Sequence, residues 1–183
     1  MERFFDILFS TFALAILLPL FIPLIISLRL TGEGEIFFLQ GRVGKGGIKF
    51  NLIKFATMQK NSPHVGTGTV TVKNDHRILP FGVFLRKSKV NELPQLLNIF
   101  WGDMSFIGPR PLTNQTFSAY QKKTQNIIKK VRPGLSGVGS IIFRAEEDIL
   151  HGEFASLEFY ARIIAPYKGE LEEWFVSNRG TQL

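Results

Sequence analysis

The chain of 183 residues contains no cysteine. This absence excludes a disulfide framework, a thiolate metal site and a cysteine nucleophile, and it leaves the cellular compartment open. The three histidines, His64, His76 and His151, are scattered without the spacing typical of a metal site. The glycine-rich residues 41–47 lack the Gly-x-x-x-x-Gly-Lys-Ser/Thr pattern of a P-loop, so they predict a hairpin turn instead of a phosphate cradle.

Negative charge is also scarce, because 22 Lys and Arg residues face 15 Asp and Glu residues, giving a net charge of +7. This balance indicates an acidic partner, which could be nucleic acid, an anionic lipid surface or a phosphorylated substrate. Aromatic residues make up 13% of the chain, more than a nucleic-acid-binding tail requires. A nucleic-acid binder is therefore a hypothesis supported by charge alone, and we expect no nucleic-acid partner.

Residues 7–28 carry no charge at all. At about 1.5 Å per residue, a helix of this length reaches roughly the 30 Å thickness of the hydrocarbon core of a membrane. Asp6 and the lack of a small-residue cleavage site argue against a signal peptide. Pro19 and Pro23 lie inside the run, where each removes a backbone donor and bends a helix. The run therefore predicts a membrane helix that is either spanning or re-entrant.

Cations follow the apolar run closely: Arg29, Arg42, Lys45, Lys49 and Lys54. Such an excess next to a membrane segment places the rest of the chain on the cytoplasmic side. We therefore divide the chain into a membrane-inserted segment, residues 1–30, and a cytoplasmic domain, residues 31–183. Within that domain, apolar residues alternate with polar ones on either side of the glycine-rich turn, which predicts a β-hairpin over residues 35–58.

The most informative stretch is residues 86–111. Its apolar residues recur at the spacing of one helix face: Leu93, Leu96, Leu97, Phe100 and Trp101. Asn91 is the predicted N-cap, Glu92 falls in the first turn, and Gly102 suits the left-handed position after the helix. Arg86 and two lysines precede this helix, and Arg110 follows between two prolines. Such cations predict a phosphate site in which Glu92 holds a divalent cation; a capped helix with solvated lysines is the alternative.

Residues 86–112, RKSKVNELPQLLNIFWGDMSFIGPRPL, closely resemble the signature of bacterial sugar transferases, the monotopic phosphoglycosyl transferases. The resemblance covers nearly the whole chain and includes IKFATM at residues 53–58 and RPGLSG at residues 132–137. Members of this family move a phosphosugar from a UDP-sugar to a polyprenol phosphate. The chain departs from the family pattern at Asn91, where an aspartate is usual, at Lys89, where a serine is usual, and at Leu18, where a serine usually precedes the proline.

The resemblance implies an α/β fold: a small membrane-associated domain with a proline-broken re-entrant N-terminal helix, a β-hairpin and several amphipathic interfacial helices. Pro19 matches the break of the re-entrant helix, and Lys54 matches a functional lysine at the end of a strand. It further implies that Glu92 binds Mg²⁺ and that cations contact the diphosphate or uridine of the donor: Arg86, Arg110, Arg132 and Arg144. The basic residues 115–130 predict a helix that lies at the membrane surface, at the entrance for an anionic substrate or with a solvated face. The aromatic residues 156–176, interrupted by Pro166, predict an interfacial helix.

The family's covalent route uses the aspartate that Asn91 replaces, and a neutral amide is a poor nucleophile. Three routes stay open: Glu92 as nucleophile, an acid among Glu146, Glu147 and Asp148, or direct attack by the lipid phosphate. We therefore expect an enzyme of the bacterial cell membrane that starts surface glycan assembly from a UDP-sugar and a polyprenol phosphate and releases UMP. A catalytically silent binder of the UDP-sugar or lipid phosphate is the alternative, and the oligomeric state stays open.

Overall fold

The computed structural model describes residues 1–62, 65, 75–144 and 157–179. Several expectations fall outside this part of the chain, namely those for His64, His151, the acids Glu146, Glu147 and Asp148, and most of the loop at residues 59–74. The helices are α1 (Glu2–Leu30), α2 (Pro80–Lys87), α3 (Gln95–Trp101), α4 (Asn114–Ala119), α5 (Lys122–Ile128), α6 (Val138–Ile142) and α7 (Ala165–Asn178). The strands are β1 (Phe37–Val43), β2 (Lys49–Phe55), β3 (Ser105–Ile107) and β4 (Gly134–Ser136).

The four strands form two separate two-stranded sheets. Strands β1 and β2 pair antiparallel, which confirms the predicted hairpin, and its turn contains two glycines with positive φ, Gly46 and Gly47. Strands β3 and β4 pair in parallel, so that Ser105 faces Gly134 and Ile107 faces Ser136. The predicted mixture of helices and strands is therefore confirmed, and the strands of the described residues belong to these two small sheets.

Helix α1 packs along the globular part of the chain from end to end. Near its start, Arg3 donates hydrogen bonds to the carbonyls of Ile99 and Phe100, the last turn of α3. One turn later, buried Asp6 accepts from the Ser105 hydroxyl at 3.0 Å and from the Phe106 backbone at 3.2 Å. The middle and end of the same face join two apolar clusters through Ala13, Leu14, Leu17, Phe21, Leu24 and Leu28. Both ends of α1 are thus attached to the same body.

The other face of α1 is apolar and exposed: Phe4, Phe5, Ile7, Leu8, Phe9, Phe12, Ile16, Leu18, Leu20, Ile22, Ile26 and Leu30. By length and composition the helix could cross a membrane. The predicted break at Pro19 is not present, since α1 stays helical through Pro19 and Pro23. Both prolines lie on the exposed face. The backbone hydrogen bonds that they cannot donate are therefore missing on the exposed side, while packing on the inner side keeps the helix intact.

The central stretch differs from its predicted form at the start of the helix. Val90–Glu92 forms a 3₁₀ turn and α3 begins only after Pro94, so Asn91 is not an N-cap. Lys89 adopts a left-handed conformation immediately before this turn, with φ 60°. The predicted end is confirmed, because Gly102 follows α3 with φ 97°. Leu96 and Ile99 form the buried face, whereas Phe100 and Trp101, which were expected in the core, are exposed.

Two further predicted helices are divided. The basic residues 115–130 form α4 and α5, separated at Tyr120 and Gln121, whose backbone is extended. The aromatic residues 156–176 form a helical turn, Leu157–Phe159, then a π-helical turn, Tyr160–Ile164, and then α7. Pro166 lies in the first turn of α7, where its missing donor breaks no hydrogen bond of that helix. A wider π turn immediately before α7 therefore takes the place of the break that Pro166 led us to expect.

Asp75 and Arg77 form a buried ion pair. The Arg77 Nε donates to Asp75 Oδ1 at 2.8 Å, and both side chains are almost fully buried. Arg77 Nη1 also donates to the carbonyls of Ser62 and Val65, at 2.7 and 2.8 Å. This pair therefore fastens the segment that leads out of the hairpin against the segment that leads into α2.

Candidate active site

A cleft lies between one face of the hairpin and the loop that follows β3. Its charged lining comes from three separate elements: Arg42 and Lys54 from the hairpin, Glu92 from the 3₁₀ turn, and Arg110 from the loop. The remaining lining residues are Leu52, Gln95, Pro111, Gly134 and Leu135. The structure thus brings together three of the residues singled out in the sequence, Lys54, Glu92 and Arg110.

The register of the hairpin explains why Arg42 and Lys54 share this cleft. Phe38 pairs with Lys54, and Arg42 pairs with Phe50, so Arg42 and Lys54 project from the same face of the two strands. Asn98 of α3 holds this hairpin, because its side chain accepts from the Ile53 backbone and donates to the Asn51 carbonyl, at 3.0 and 2.9 Å. Helix α3 therefore fixes the strand that carries Lys54 directly beside the turn that carries Glu92.

Glu92 lies between two cations. Its Oε1 is 3.4 Å from Lys54 Nζ and 4.0 Å from Arg110 Nη2. The side chains of Lys54 and Glu92 are only 17% and 20% exposed, whereas that of Arg110 is 42% exposed. Solvent therefore screens the first pair less than the second. The carboxylate holds the two cations near one point, and three cations outnumber the one carboxylate in the cleft.

The pKa values of these groups follow from burial and from their proximity to one another. Burial lowers the pKa of Lys54 to about 8, although the neighbouring Glu92 carboxylate opposes this change. Burial, reinforced by Arg110, lowers the pKa of Arg42 to about 10. Burial alone would raise the pKa of Glu92, but Lys54, Arg110 and Lys89 outweigh it and hold that pKa below its ordinary value. Near neutral pH the cleft therefore carries three cations and one carboxylate, which suits a ligand with two negative charges.

Arg42 is a site residue that the sequence assigned only to the cationic region after the apolar run. Its Nη1 donates to the Pro111 carbonyl at 2.8 Å, and its Nη2 donates to Gln40 Oε1. Arg42 therefore supports the loop that carries Arg110 and also adds positive charge to the cleft. The sequence signal that could have identified Arg42 is its position in the predicted hairpin, where it shares a face with Gln40 and with Lys54 of the neighbouring strand.

Asn91 lies beside the cleft and is not one of its lining residues. Its side chain is buried, and its Oδ1 has no hydrogen-bond partner among the described residues. Neighbouring residues of a tight helical turn point in different directions, which explains why Glu92 faces the cleft and Asn91 does not. A buried acceptor without a donor lowers stability. Position 91 therefore holds a polar group that the described contacts do not require.

The other predicted cations are more distant. Arg86 is partly buried in the last turn of α2, and the Arg132 Nε donates to the Gly102 carbonyl at 2.8 Å, where it supports the end of α3. Arg144 is exposed just after α6. None of these three lines the cleft in the described part of the chain. Their expected contacts with a diphosphate or uridine stay predictions.

Gly134, which lines the cleft, is in close contact with Gly108, and Gly108 is in turn in close contact with Gly137. A Cβ atom at Gly134 would lie 2.1 Å from Gly108 N, and a Cβ atom at Gly137 would lie 2.1 Å from Gly108 O. The loop that carries Arg110 and the RPGLSG segment thus touch through their backbones. Glycine is required at these positions because any side chain would separate the two segments.

The pKa of Lys54 predicts a pH dependence of anion binding. Lys54 is charged below pH 8 and neutral above it, so we expect pyrophosphate affinity in metal-free buffer to fall between pH 7 and 9, approaching tenfold per unit above pH 8. Isothermal titration across this range is the measurement. Lys54→Arg keeps the charge throughout and should bind almost equally at each pH. A parallel fall in Lys54→Arg would assign the dependence to another group.

Comparison with known proteins gives consistent matches. The sequence model of the family described as bacterial sugar transferase matches residues 1–164. A UDP-glucose:undecaprenyl-phosphate glucose-1-phosphate transferase of Xanthomonas campestris pv. campestris is 37% identical over 144 residues, which are 77% of this chain and 30% of that protein. An exopolysaccharide production protein of Rhizobium meliloti is 32% identical over 154 residues, covering 76% of this chain and 68% of the relative.

A third relative extends the range of named sugars. A UDP-N-acetylgalactosamine-undecaprenyl-phosphate N-acetylgalactosaminephosphotransferase of Aeromonas hydrophila is 34% identical over 143 residues, which are 77% of this chain and 34% of that protein. The matched region therefore spans about a third of the Xanthomonas and Aeromonas proteins and about two thirds of the Rhizobium protein. In all three the similarity covers about three quarters of this chain.

Proposed function

The chain belongs to the bacterial sugar transferase family, and from this premise we propose that it transfers a phosphosugar from a UDP-sugar to a polyprenol phosphate and releases UMP. The product is a polyprenyl diphosphosugar, the first membrane-bound intermediate of a surface glycan. Two of the relatives are named for transfer from a UDP-sugar to undecaprenyl phosphate, which supports this choice of donor and acceptor.

The observation that carries the proposal is the charge arrangement in the cleft. The diphosphate of a UDP-sugar carries two negative charges, and the three cations of the cleft, Arg42, Lys54 and Arg110, outnumber Glu92 by two. Lys54 and Arg110 lie close to the same Glu92 oxygen, so one phosphate in the cleft would be within reach of both cations. Cations that the fold holds where negative charge develops stabilise the transition state of phosphoryl transfer.

Mg²⁺ is the cofactor we propose, with Glu92 as its protein ligand. Glu92 is the one carboxylate among the described residues that line the cleft, and Mg²⁺ in such sites is commonly held by one or two carboxylates together with substrate phosphates. The described parts of the chain contain no group of three or more His, Asp or Glu residues that would hold a metal without substrate. A bound Mg²⁺ would supply charge neutralisation at the donor diphosphate.

The acceptor phosphate must approach the phosphorus atom of the sugar phosphate while UMP leaves from the opposite side. Lys54 and Arg110 would reduce the repulsion between the two phosphates, which otherwise opposes their approach. The nucleophile is either the lipid phosphate, which forms one P–O bond while the bond to UMP breaks, or a carboxylate oxygen of Glu92. In the second case the P–O bond to Glu92 forms as UMP leaves, and the lipid phosphate then displaces Glu92 from the phosphosugar. The third route, through Glu146, Glu147 or Asp148, concerns residues outside the described part of the chain.

We propose that the exposed face of α1 inserts into the cytoplasmic leaflet of the bacterial cell membrane. Twelve large apolar side chains on that face have no cover from the described residues, and the opposite face is attached to the globular part at both ends. A spanning helix would leave one end on the far side of the membrane, whereas both ends of α1 contact the same body. This geometry supports a helix that stays within one leaflet over a spanning one, with the cleft on the cytoplasmic side, where UDP-sugars are found.

UMP release tests the proposed function. The purified protein in detergent should release UMP from UDP-glucose or UDP-N-acetylgalactosamine over repeated turnovers only when Mg²⁺ and undecaprenyl phosphate are both present. Intact-protein mass after mixing with the UDP-sugar alone separates the routes, because a phosphosugar adduct would exclude direct attack. The competing hypothesis, a silent binder, predicts UDP-sugar affinity without UMP under all of these conditions.

A further inference from the structure

Glu172 of α7 is a buried carboxylate in contact with the rear of the cleft. It is 3% exposed, and its Oε1 accepts a hydrogen bond from the Arg110 backbone N–H at 3.5 Å. On its other side it lies against Gly139 of α6, where a Cβ atom would approach Oε1 to 2.3 Å. Glu172 therefore touches the loop that carries Arg110 and helix α6, which follows the RPGLSG segment, and it lies beyond residue 164, where the family match ends.

A carboxylate in this place has a cost that an apolar side chain would avoid. Burial raises the pKa of Glu172 to about 7, although the Arg110 backbone, Lys168 and the Arg110 charge act in the opposite direction. Its Oε2 has no hydrogen-bond partner among the described residues. A buried methionine of similar length would fill the same space without this desolvation. What methionine could not do is accept the Arg110 N–H.

That hydrogen bond completes the support of the Arg110 backbone. The two flanking prolines fix their own φ angles, and Arg42 donates to the Pro111 carbonyl from the hairpin side. Glu172 holds the Arg110 N–H from the α7 side. The Arg110 side chain itself is 42% exposed and reaches Glu92 only at 4.0 Å, so its direction depends on the backbone from which it starts. Small displacements of a charged group at a reacting centre have large effects on rate.

We propose that Glu172 is a positioning residue: by holding the Arg110 backbone against α6 and α7, it aims the Arg110 guanidinium at Glu92 and at the donor diphosphate. The C-terminal helix thereby contributes to the site although the family match does not reach it. This role rests on the proposed function for its substrate, but the hydrogen bond to Arg110 and the contact with Gly139 that define it are properties of the fold.

The test compares Glu172→Met with Glu172→Gln. Methionine removes the acceptor, and glutamine keeps an oxygen that can accept the Arg110 N–H. We expect Glu172→Met to reduce kcat/KM for the UDP-sugar by about tenfold or more, with the KM for undecaprenyl phosphate unchanged, and Glu172→Gln to restore the donor value to within about threefold. Glu170→Met is the matched control, because Glu170 is exposed on the same helix and should stay at the unmodified value.

A double-mutant cycle with Arg110→Ala decides whether Glu172 acts through Arg110. Once the guanidinium is removed, Glu172→Met should cause no further loss, whereas a purely structural role would lower activity equally in both backgrounds. Equal loss in both backgrounds, or equal effects on donor and acceptor, would overturn the proposal. If Glu172→Met does not fold, Gly139→Ala serves instead, because its Cβ would displace the carboxylate and should give the same donor-selective loss.

Pyrophosphate affinity, measured by calorimetry on the same variants, separates this proposal from the proposed function. If the unmodified protein releases no UMP with either UDP-sugar, the proposed function fails. Glu172 would still be supported by an Arg110-dependent, roughly tenfold weaker binding of pyrophosphate in Glu172→Met. Unchanged pyrophosphate binding in Glu172→Met would contradict the positioning role whatever the outcome for UMP.

Discussion

Glu92→Gln is expected to lower UMP release by about 100-fold or more, a loss typical for a charged group that acts at the reacting centre. The change keeps the size of the side chain and removes the charge that lies 3.4 Å from Lys54 and 4.0 Å from Arg110. It also removes the one carboxylate that we propose for Mg²⁺ in the cleft. Without Glu92, burial of Lys54 is no longer opposed, so the pKa of Lys54 should fall further and part of its charge should be lost at neutral pH.

The measurement is the rate of UMP release as a function of Mg²⁺ concentration in both proteins. Glu35→Gln is the matched control, because Glu35 pairs with Lys60 on the surface, where both side chains are largely exposed and such pairs contribute little. Glu35→Gln should keep the unmodified rate. An unchanged Mg²⁺ dependence and turnover in Glu92→Gln would show that Glu92 is only a charge near the start of a helix.

Gly134→Ala is expected to destabilise the protein by about 3 kcal/mol or more and to lower the Tm by roughly 6–12 °C. Its Cβ atom would lie 2.1 Å from Gly108 N and 2.5 Å from Ser136 O, and both are backbone atoms that cannot rotate away. The parallel pairing of β3 with β4 would have to open, which moves the loop that carries Arg110. Activity should therefore fall together with stability.

Thermal unfolding in detergent, followed by circular dichroism, measures this effect. Gly41→Ala is the control, because a Cβ atom at Gly41 has no atom within 4 Å among the described residues and its φ is not positive. The control should keep the Tm within about 2 °C, as expected for an ordinary surface change. An unchanged Tm in Gly134→Ala would mean that the two segments are not in backbone contact.

The sequence was informative wherever one local pattern decides the structure. The alternation of Phe50 and Leu52 with polar neighbours predicted the hairpin, and Gly102 predicted the left-handed end of α3. The family resemblance brought Lys54, Glu92 and Arg110 into one hypothesis, and these three meet in the cleft. The family motifs therefore assigned residues that are distant in the chain to one site without any knowledge of the fold.

Prediction was poorer where tertiary contacts decide the outcome. Asn91 has the chemistry of an N-cap, yet the left-handed Lys89 and Pro94 impose a 3₁₀ turn that places it inside. Phe100 and Trp101 have helix-face spacing, but no described element covers that part of α3 and they stay exposed. Glu172 carries no local signal at all, because its role depends on Arg110, 62 residues earlier, and on the space left by Gly139.

The attachment of α1 also has a consequence for the order of biosynthesis. Arg3 and Asp6 bind partners 96 to 100 residues later in the chain, and Glu2 pairs with Arg179, 177 residues later. At about 5–20 residues per second, α1 leaves the ribosome many seconds before these partners exist. A helix with so much exposed apolar surface would aggregate in water during that interval. We therefore expect the lipid bilayer to receive α1 first, so that the enzyme assembles at the membrane and the pair of Glu2 with Arg179 forms last.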